Sequence, residues 1–516
     1  MARPAQYAPL AMRREILSTF LFGLALTACL DQAYEDAQDE NDDTTGVDDS
    51  KADASGTTAS KSYRSGCGAP IRTGSYALHG DVVTPTGVMP GYYVVVTDEK
   101  IAAIAALPPQ GVTTIETNGV IFPGLIDGHN HVEYNHIPLA DLGKRYGDRD
   151  QWPGASKYKT LVKDPKNAVT AAGLQCEALR HGETRALVGG TTSIQGTPLT
   201  ACTRSLVRNL EGINFCQDRV RQNVMDISGF SRSVSGAPSF ADSIKADILN
   251  HKLDVFVVHA GEGTDAHELA EWSQLKSQGL ALPQLVMIHT TAFGATEYAE
   301  TAQAGAKVVW SPLSNLLLYG KTDDVPTAVR AGVNVSLGTD WAPSGSANLL
   351  GELKVADRVN QKQWGGFLTD QQLVDMVTLN PAKAYALDKF IGTIEVGKYA
   401  DLMVVAKQPG LSAQRDLINA RPQDVLFVTI SGDPLFGDPR LMEATGKAGD
   451  YETIDACGTP KAVDVTVTAK DVTRGTEPLS MVESQLLSVN PKLTPVIECN
   501  EDALIAKAFA GTTLAN

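Results

Sequence analysis

Pro123-Gly124-Leu125-Ile126-Asp127-Gly128-His129-Asn130-His131 reads as a short apolar strand that ends in two histidines. Side chains alternate along a strand with period two, so His129 and His131 leave the same side and can reach one ion. An HxH pair alone is a weak signal. Its weight comes from the downstream chain. From Gly124 onward, strand-like runs alternate with Ala-rich helical stretches, the pattern of βα units and a parallel sheet. Candidate strands lie at 120–127, 187–194, 254–259, 284–289, 306–310 and 333–338, with two more near 205–208 and 220–227. Eight strands over about 265 residues match a (β/α)8 barrel.

Three of those strands end in residues that bind metals or move protons. His259 closes Val255-Phe256-Val257-Val258 and precedes Ala260-Gly261-Glu262; His289 closes Leu285-Val286-Met287-Ile288; Asp340 follows 333–338 and Thr339. In a parallel barrel these C-terminal strand ends meet at one mouth, where active sites of this architecture lie. Three imidazoles and one carboxylate suit a single divalent ion, with Zn2+ expected and Fe2+ the alternative.

The flanks differ in character. Short β runs, among them Tyr92-Tyr93-Val94-Val95-Val96, fill residues 71–123, and β character returns at 394–396 and 401–406. We therefore expect an α/β protein: a TIM-type barrel over 124–390 and a small composite β-sandwich domain built from 64–123 and 391–458. Residues 459–516 form a C-terminal extension without an assigned place.

The 516 residues are 43% hydrophobic and 20% charged, with a formal net charge of −16. That balance permits a large core and argues against nucleic acid, which needs a basic face. The acidity is concentrated: residues 31–54 carry ten acids and one lysine. Before them, Met12-Arg13-Arg14 precedes the apolar run 16–28, which is too short for a comfortable bilayer span and suits a signal peptide. Leu26-Thr27-Ala28-Cys29 resembles a bacterial lipobox, with Cys29 the lipidated residue. Residues 1–29 are thus expected to be a lipoprotein signal and 30–63 a solvated tether. The expectation is an exported protein of the bacterial cell envelope, held at the membrane by an N-terminal lipid anchor. Among the other six cysteines, Cys202/Cys216 and Cys457/Cys499 are the favoured pairs on proximity.

The motifs PGLIDGHNH, LVGGTTS, VHAGE, VMIH, SPLSN, SLGTD and NPAKAYAL with IGTIEVGKYADLMVV together resemble the amidohydrolase superfamily, specifically its cyclic-amidine deaminases and the imidazolonepropionase-like hydrolases. The resemblance covers about residues 71–406. It implies that His129, His131, His259 and Asp340 are the metal ligands, that Glu262 is the acid/base glutamate, and that His289 touches the attacking water or the substrate. Asp340 doubles as acceptor of the water's proton. One departure bears on the metal count: no Lys sits on the fourth strand near 220–227, so the carbamylated Lys that bridges two metals elsewhere in the superfamily is missing.

Glu133, Tyr134 and Asn135 follow the HxH pair and are candidates for substrate contact, as are Ser314, Asn315 and Trp341. The resulting expectation is a hydrolase or deaminase that attacks a non-peptide C–N bond of a small cyclic amidine or amide with metal-activated hydroxide. A binuclear peptidase or lactonase of the same superfamily is the enzymatic alternative. A non-catalytic surface-binding lipoprotein is the alternative of another class. A homo-oligomer is compatible with the sequence.

Overall fold

A computed structural model describes residues 74–196, 206–211, 220–223, 227–231, 238–447, 449, 451–466 and 477–509. The expected signal peptide, Cys29, the tether and the Cys202/Cys216 pair lie outside these residues. Among the described residues no helix is long and apolar enough to cross a membrane.

The chain first lays down β1 (Ser75–Thr84), β2 (Gly87–Thr97), β3 (Lys100–Ala105) and β4 (Thr113–Pro123). It then runs through eight strands of the barrel class: β5 (Leu125–Asp127), β6 (Thr191–Ile194), β7 (Arg208–Asn209), β8 (Val220–Asn223), β9 (Val255–Ala260), β10 (Leu285–His289), β11 (Lys307–Trp310) and β12 (Asn334–Leu337). Last come β13 (Leu402–Ala406), β14 (Val425–Ile430), β15 (Asp433–Gly437), β16 (Glu452–Ala456) and β17 (Thr459–Val463).

Strands from both flanks share one nine-stranded sheet in the order β16-β17-β15-β14-β13-β4-β1-β2-β3. The seam is β13 antiparallel to β4, with Val404 opposite Ile121. One face buries Tyr76, Leu78, Val94, Val96, Ile121, Leu402, Val404 and Phe427 as a core of its own. The far end of the sheet takes in β17, so residues 459–463 of the C-terminal extension belong to it.

The eight middle strands form two parallel ladders, β8-β9-β10-β11-β12 and β5-β6-β7. Strands such as β9 are buried along their whole length, as expected where helices cover one face and the barrel core the other. The ladders meet where Gly128 N–H donates to the Leu337 carbonyl at 3.0 Å and Asn130 bridges Asp340 in parallel. This is the (β/α)8 class with an added β-domain, as expected.

Local boundaries differ from the sequence pattern at several points. Residues 394–396, expected as β, form no strand, and among the described residues the runs near 205–208 and 220–227 give strand only at Arg208–Asn209 and Val220–Asn223. Residues 120–127 are two strands, not one. The break is at Gly124, where a Cβ would sit 2.3 Å from Thr192, so only glycine lets the chain pass from the nine-stranded sheet into the barrel. The 187–194 run begins as the end of the helix Gln175–Leu187 and becomes β6 only at Thr191, after a turn through Gly190 at φ 85°.

The C-terminal region closes on the barrel. Val482 and Leu486 of the helix Leu479–Val489 pack with Val169 and Ala178. Asn490 Nδ2 donates to the carbonyl of buried His136 at 3.1 Å, and the Thr494 N–H reaches the same carbonyl. Cys457 and Cys499 are joined as expected. Cys176 is also disulfide-bonded, to a partner outside the described residues.

Candidate metal centre

Four strand ends deliver five side chains to one place. His129 and His131 follow β5, His259 lies in β9, His289 ends β10, and Asp340 follows β12. His129, His259 and His289 each bring one ligand atom within 4.8 Å of the others, and so do His129, His131 and Asp340. His129 belongs to both triads. Asp340 Oδ1 lies 3.3 Å from His129 Nε2 and 3.6 Å from His131 Nε2. The backbone is forced here: His289 and Asp340 hold φ of 75° and 62°, in the left-handed region that costs a residue with a Cβ about 1–3 kcal/mol.

Burial sets the charges. It drives His131 down to about 3 and His289 to about 4, and holds His259 well below the usual imidazole value. These rings are therefore neutral at physiological pH, the form that donates a lone pair to a metal. For Asp340, burial pushes upward, but the imidazoles of His129, His289 and His131 that surround the carboxyl outweigh it and leave about 2. His129 Nε2, His259 Nδ1 and His289 Nε2 are buried with no hydrogen-bond partner. Unpaired buried nitrogens carry a desolvation penalty that a cation would remove. Neutral imidazoles beside an ionised carboxylate fit a divalent ion, zinc by the nature of the donors.

Glu262 stands next to this group. Its Oε1 is 3.6 Å from His289 Nε2 and accepts the Tyr319 hydroxyl at 2.6 Å. Tyr319 in turn accepts Trp152 Nε1–H at 3.0 Å. The Gly261 N–H donates to Glu271 Oε2 at 2.7 Å, which pins the turn that carries Glu262. Burial, opposed by Arg149 and helped by Asp340, raises the Glu262 carboxyl to about 8.

The remaining candidates divide. Ser314 Oγ donates to Asp340 Oδ2 at 2.6 Å, and Asn315 Oδ1 lies 2.9 Å from His289 Nδ1, so both serve the centre directly. Trp341 stacks edge-on against Tyr134, with centroids 5.2 Å apart, and approaches His131 at 6.3 Å. Lys166 Nζ donates to the Tyr134 hydroxyl at 2.8 Å. The Asn135 amide is used inside the scaffold: Nδ2 donates to Asn130 Oδ1 and Oδ1 accepts the Ala342 N–H. Glu133 lies half-buried on the single turn Val132–Tyr134.

Four contributors escape a motif reading: Gln195, Glu211, Tyr319 and Asp323. Gln195 immediately follows β6, and Glu211 lies two residues beyond β7. The strand-end argument that singled out the histidines would have reached those two. Tyr319 and Asp323 sit on and after the helix Pro312–Tyr319, where nothing local marks them.

Comparison with known proteins agrees with this geometry. Residues 242–435 match the Amidohydrolase family. A 5-methylthioadenosine/S-adenosylhomocysteine deaminase of Moorella thermoacetica is 33% identical over 34% of this chain, and the match spans only 41% of that protein's length. A 5'-deoxyadenosine deaminase of Methanothermobacter thermautotrophicus is 24% identical over 71% of this chain and 94% of its own. Among solved structures, an atrazine chlorohydrolase of Arthrobacter aurescens complexed with zinc shares the fold, with a TM-score of 0.53 at 17% identity over 70% of this chain and 95% of its own.

Proposed function

We propose that this chain, which belongs to the amidohydrolase superfamily, is a metal-dependent deaminase of a small cyclic amidine, with an adenosine-like base as the substrate class. The observation that carries the reading is a raised, buried carboxyl, Glu262, set beside three histidines and Asp340 that can hold one ion. The relatives named as nucleoside deaminases support the substrate class.

His129, His131, His259 and Asp340 would hold the ion. A divalent metal in such a donor set supplies Lewis acidity and brings the pKa of a coordinated water towards roughly 7. Asp340 takes the proton that the attacking water loses. Glu262, protonated at neutral pH, gives its proton to the ring nitrogen of the amidine while the adjacent carbon gains the hydroxyl oxygen. The proton held by Asp340 passes to the amino group, which leaves as ammonia, while the added hydroxyl gives its proton to Glu262 as the C=O bond forms, so both carboxyl groups return to their starting states. His289, whose Nε2 faces Glu262, orients the water. Tyr319 holds one Glu262 oxygen and leaves the other for the substrate.

Ammonia release from purine nucleosides, pterins, triazines and hydantoins, measured beside metal content, tests the reading. The expected result is release from an adenosine-like compound with about one metal per chain. Two equivalents per chain would instead favour the binuclear peptidase or lactonase. The non-catalytic lipoprotein reading gains nothing from relatives that are named as deaminases. Export and lipidation at Cys29 remain part of our proposal on the residue pattern 12–29.

A further inference from the structure

Two histidines at the centre are tied back into the scaffold by the same three-part chain. His129 Nδ1 is 2.9 Å from Gln195 Oε1, and Gln195 Nε2 donates to Glu211 Oε1 at 2.9 Å. His289 Nδ1 is 2.9 Å from Asn315 Oδ1, and Asn315 Nδ2 donates to Asp323 Oδ1 at 2.8 Å. All six side chains are buried. Each terminal oxygen has a second donor that settles its role. The Gly196 backbone N–H, which can only donate, reaches the same Glu211 Oε1 at 2.8 Å. The Thr291 hydroxyl donates to Asp323 Oδ1 at 3.0 Å.

Polarity then runs one way along each chain. A carboxylate oxygen accepts, so the amide nitrogen faces it and the amide oxygen faces the imidazole. That oxygen can only accept, so the imidazole must carry its proton on Nδ1 and its lone pair on Nε2. Nε2 is the atom that lacks a protein partner in both rings.

We infer that Glu211 and Asp323 are positioning residues, which act through Gln195 and Asn315 to lock His129 and His289 in the Nδ1–H tautomer. The two chains serve different ends. Glu211–Gln195 aims a metal-ligand lone pair, whereas Asp323–Asn315 aims the lone pair that meets water beside Glu262. This inference rests on the deaminase reading for the second chain only; the first concerns metal binding alone.

The test compares Glu211→Gln and Asp323→Asn in the full chain. Each substitution keeps the side-chain shape but replaces a charged acceptor with a neutral one, which loosens the hold on the neighbouring amide. Metal affinity is measured by chelator competition with Zn2+, and kcat, KM and pH profile on whichever substrate releases ammonia. Glu211→Gln is expected to weaken Zn2+ binding about 10–100-fold, the usual effect of removing an outer-shell partner. Asp323→Asn is expected to leave Zn2+ affinity as it is and to lower kcat with little change in KM. Gln195→Met cuts the first chain without an added donor and should weaken Zn2+ as Glu211→Gln does, which covers a Glu211 variant that does not fold. Wild-type Zn2+ affinity in both first-chain variants overturns the His129 assignment. An unchanged kcat, or an equal loss of metal and rate in Asp323→Asn, overturns the His289 assignment. A wild-type chain that binds Zn2+ but releases no ammonia defeats the deaminase reading and leaves the His129 test standing.

Discussion

Glu262 carries the burden of proton transfer because of where Tyr319 and burial place it. A carboxyl raised to about 8 is a proton donor at neutral pH, which an exposed glutamate is not. Glu262→Gln should therefore lower kcat by about 10²–10⁴-fold while metal content stays at the wild-type level. Tyr319→Phe removes the 2.6 Å hydrogen bond to Glu262. A hydrogen bond between neutral groups is worth about 0.5–1.5 kcal/mol, so a loss of up to about tenfold in kcat is expected. Because the Tyr319 bond pulls the Glu262 carboxyl down, its removal should also shift that limb of the pH–rate profile upward. An unchanged profile would show that Tyr319 only packs. The identity of Glu262 was legible three residues after His259. Tyr319 was not, because its role depends on how the helix Pro312–Tyr319 is set against the turn after β9, a contact 57 residues distant in sequence.

At the scale of elements, the centre depends on β5 and β12 lying unusually close. Asp340 N–H donates to the His129 carbonyl at 2.9 Å and His131 N–H donates to the Asp340 carbonyl at 2.7 Å, so the ligands are coupled through backbone as well as side chain. Gly338 makes that approach possible: a Cβ there would sit 2.7 Å from His129 N and 2.9 Å from His129 Cβ. Backbone cannot yield as a side-chain tip can. Gly338→Ala should thus cost about 1–3 kcal/mol as overpacking and move His129 off its position. The expected readout is a lower Tm together with weaker Zn2+ binding, whereas a variant with wild-type Zn2+ affinity would refute the coupling. The strand pattern itself was readable, since continuous apolar runs such as Val255-Phe256-Val257-Val258 need burial on both faces. The break at Gly124 was not readable. Nothing in Val120-Ile121-Phe122-Pro123 announces that it pairs with β13, almost 280 residues later in the chain.

Across the whole molecule, the buried carboxyls make a collective prediction about pH. Burial raises Glu262 and Glu352 to about 8, and Glu211 and Asp323 to about 7. Each binds its proton more tightly in the folded chain than in the unfolded one. Between the ordinary carboxyl value and the raised one, the native state holds more protons, so stability falls as pH rises. The buried histidines work in the opposite direction: His131, His136 and His289 are pulled down to between about 3 and about 4. Their effect raises stability with pH, but it is complete once pH passes the unfolded imidazole value near 6.5. Above that point only the carboxyls of this group still titrate. In chelator-treated protein, Tm should therefore fall from about pH 6.5 to about pH 8, by about 2 °C or more. Calorimetry across that window checks the sign, and a flat or rising Tm would mean that the four carboxyls ionise in the native state as freely as they do unfolded.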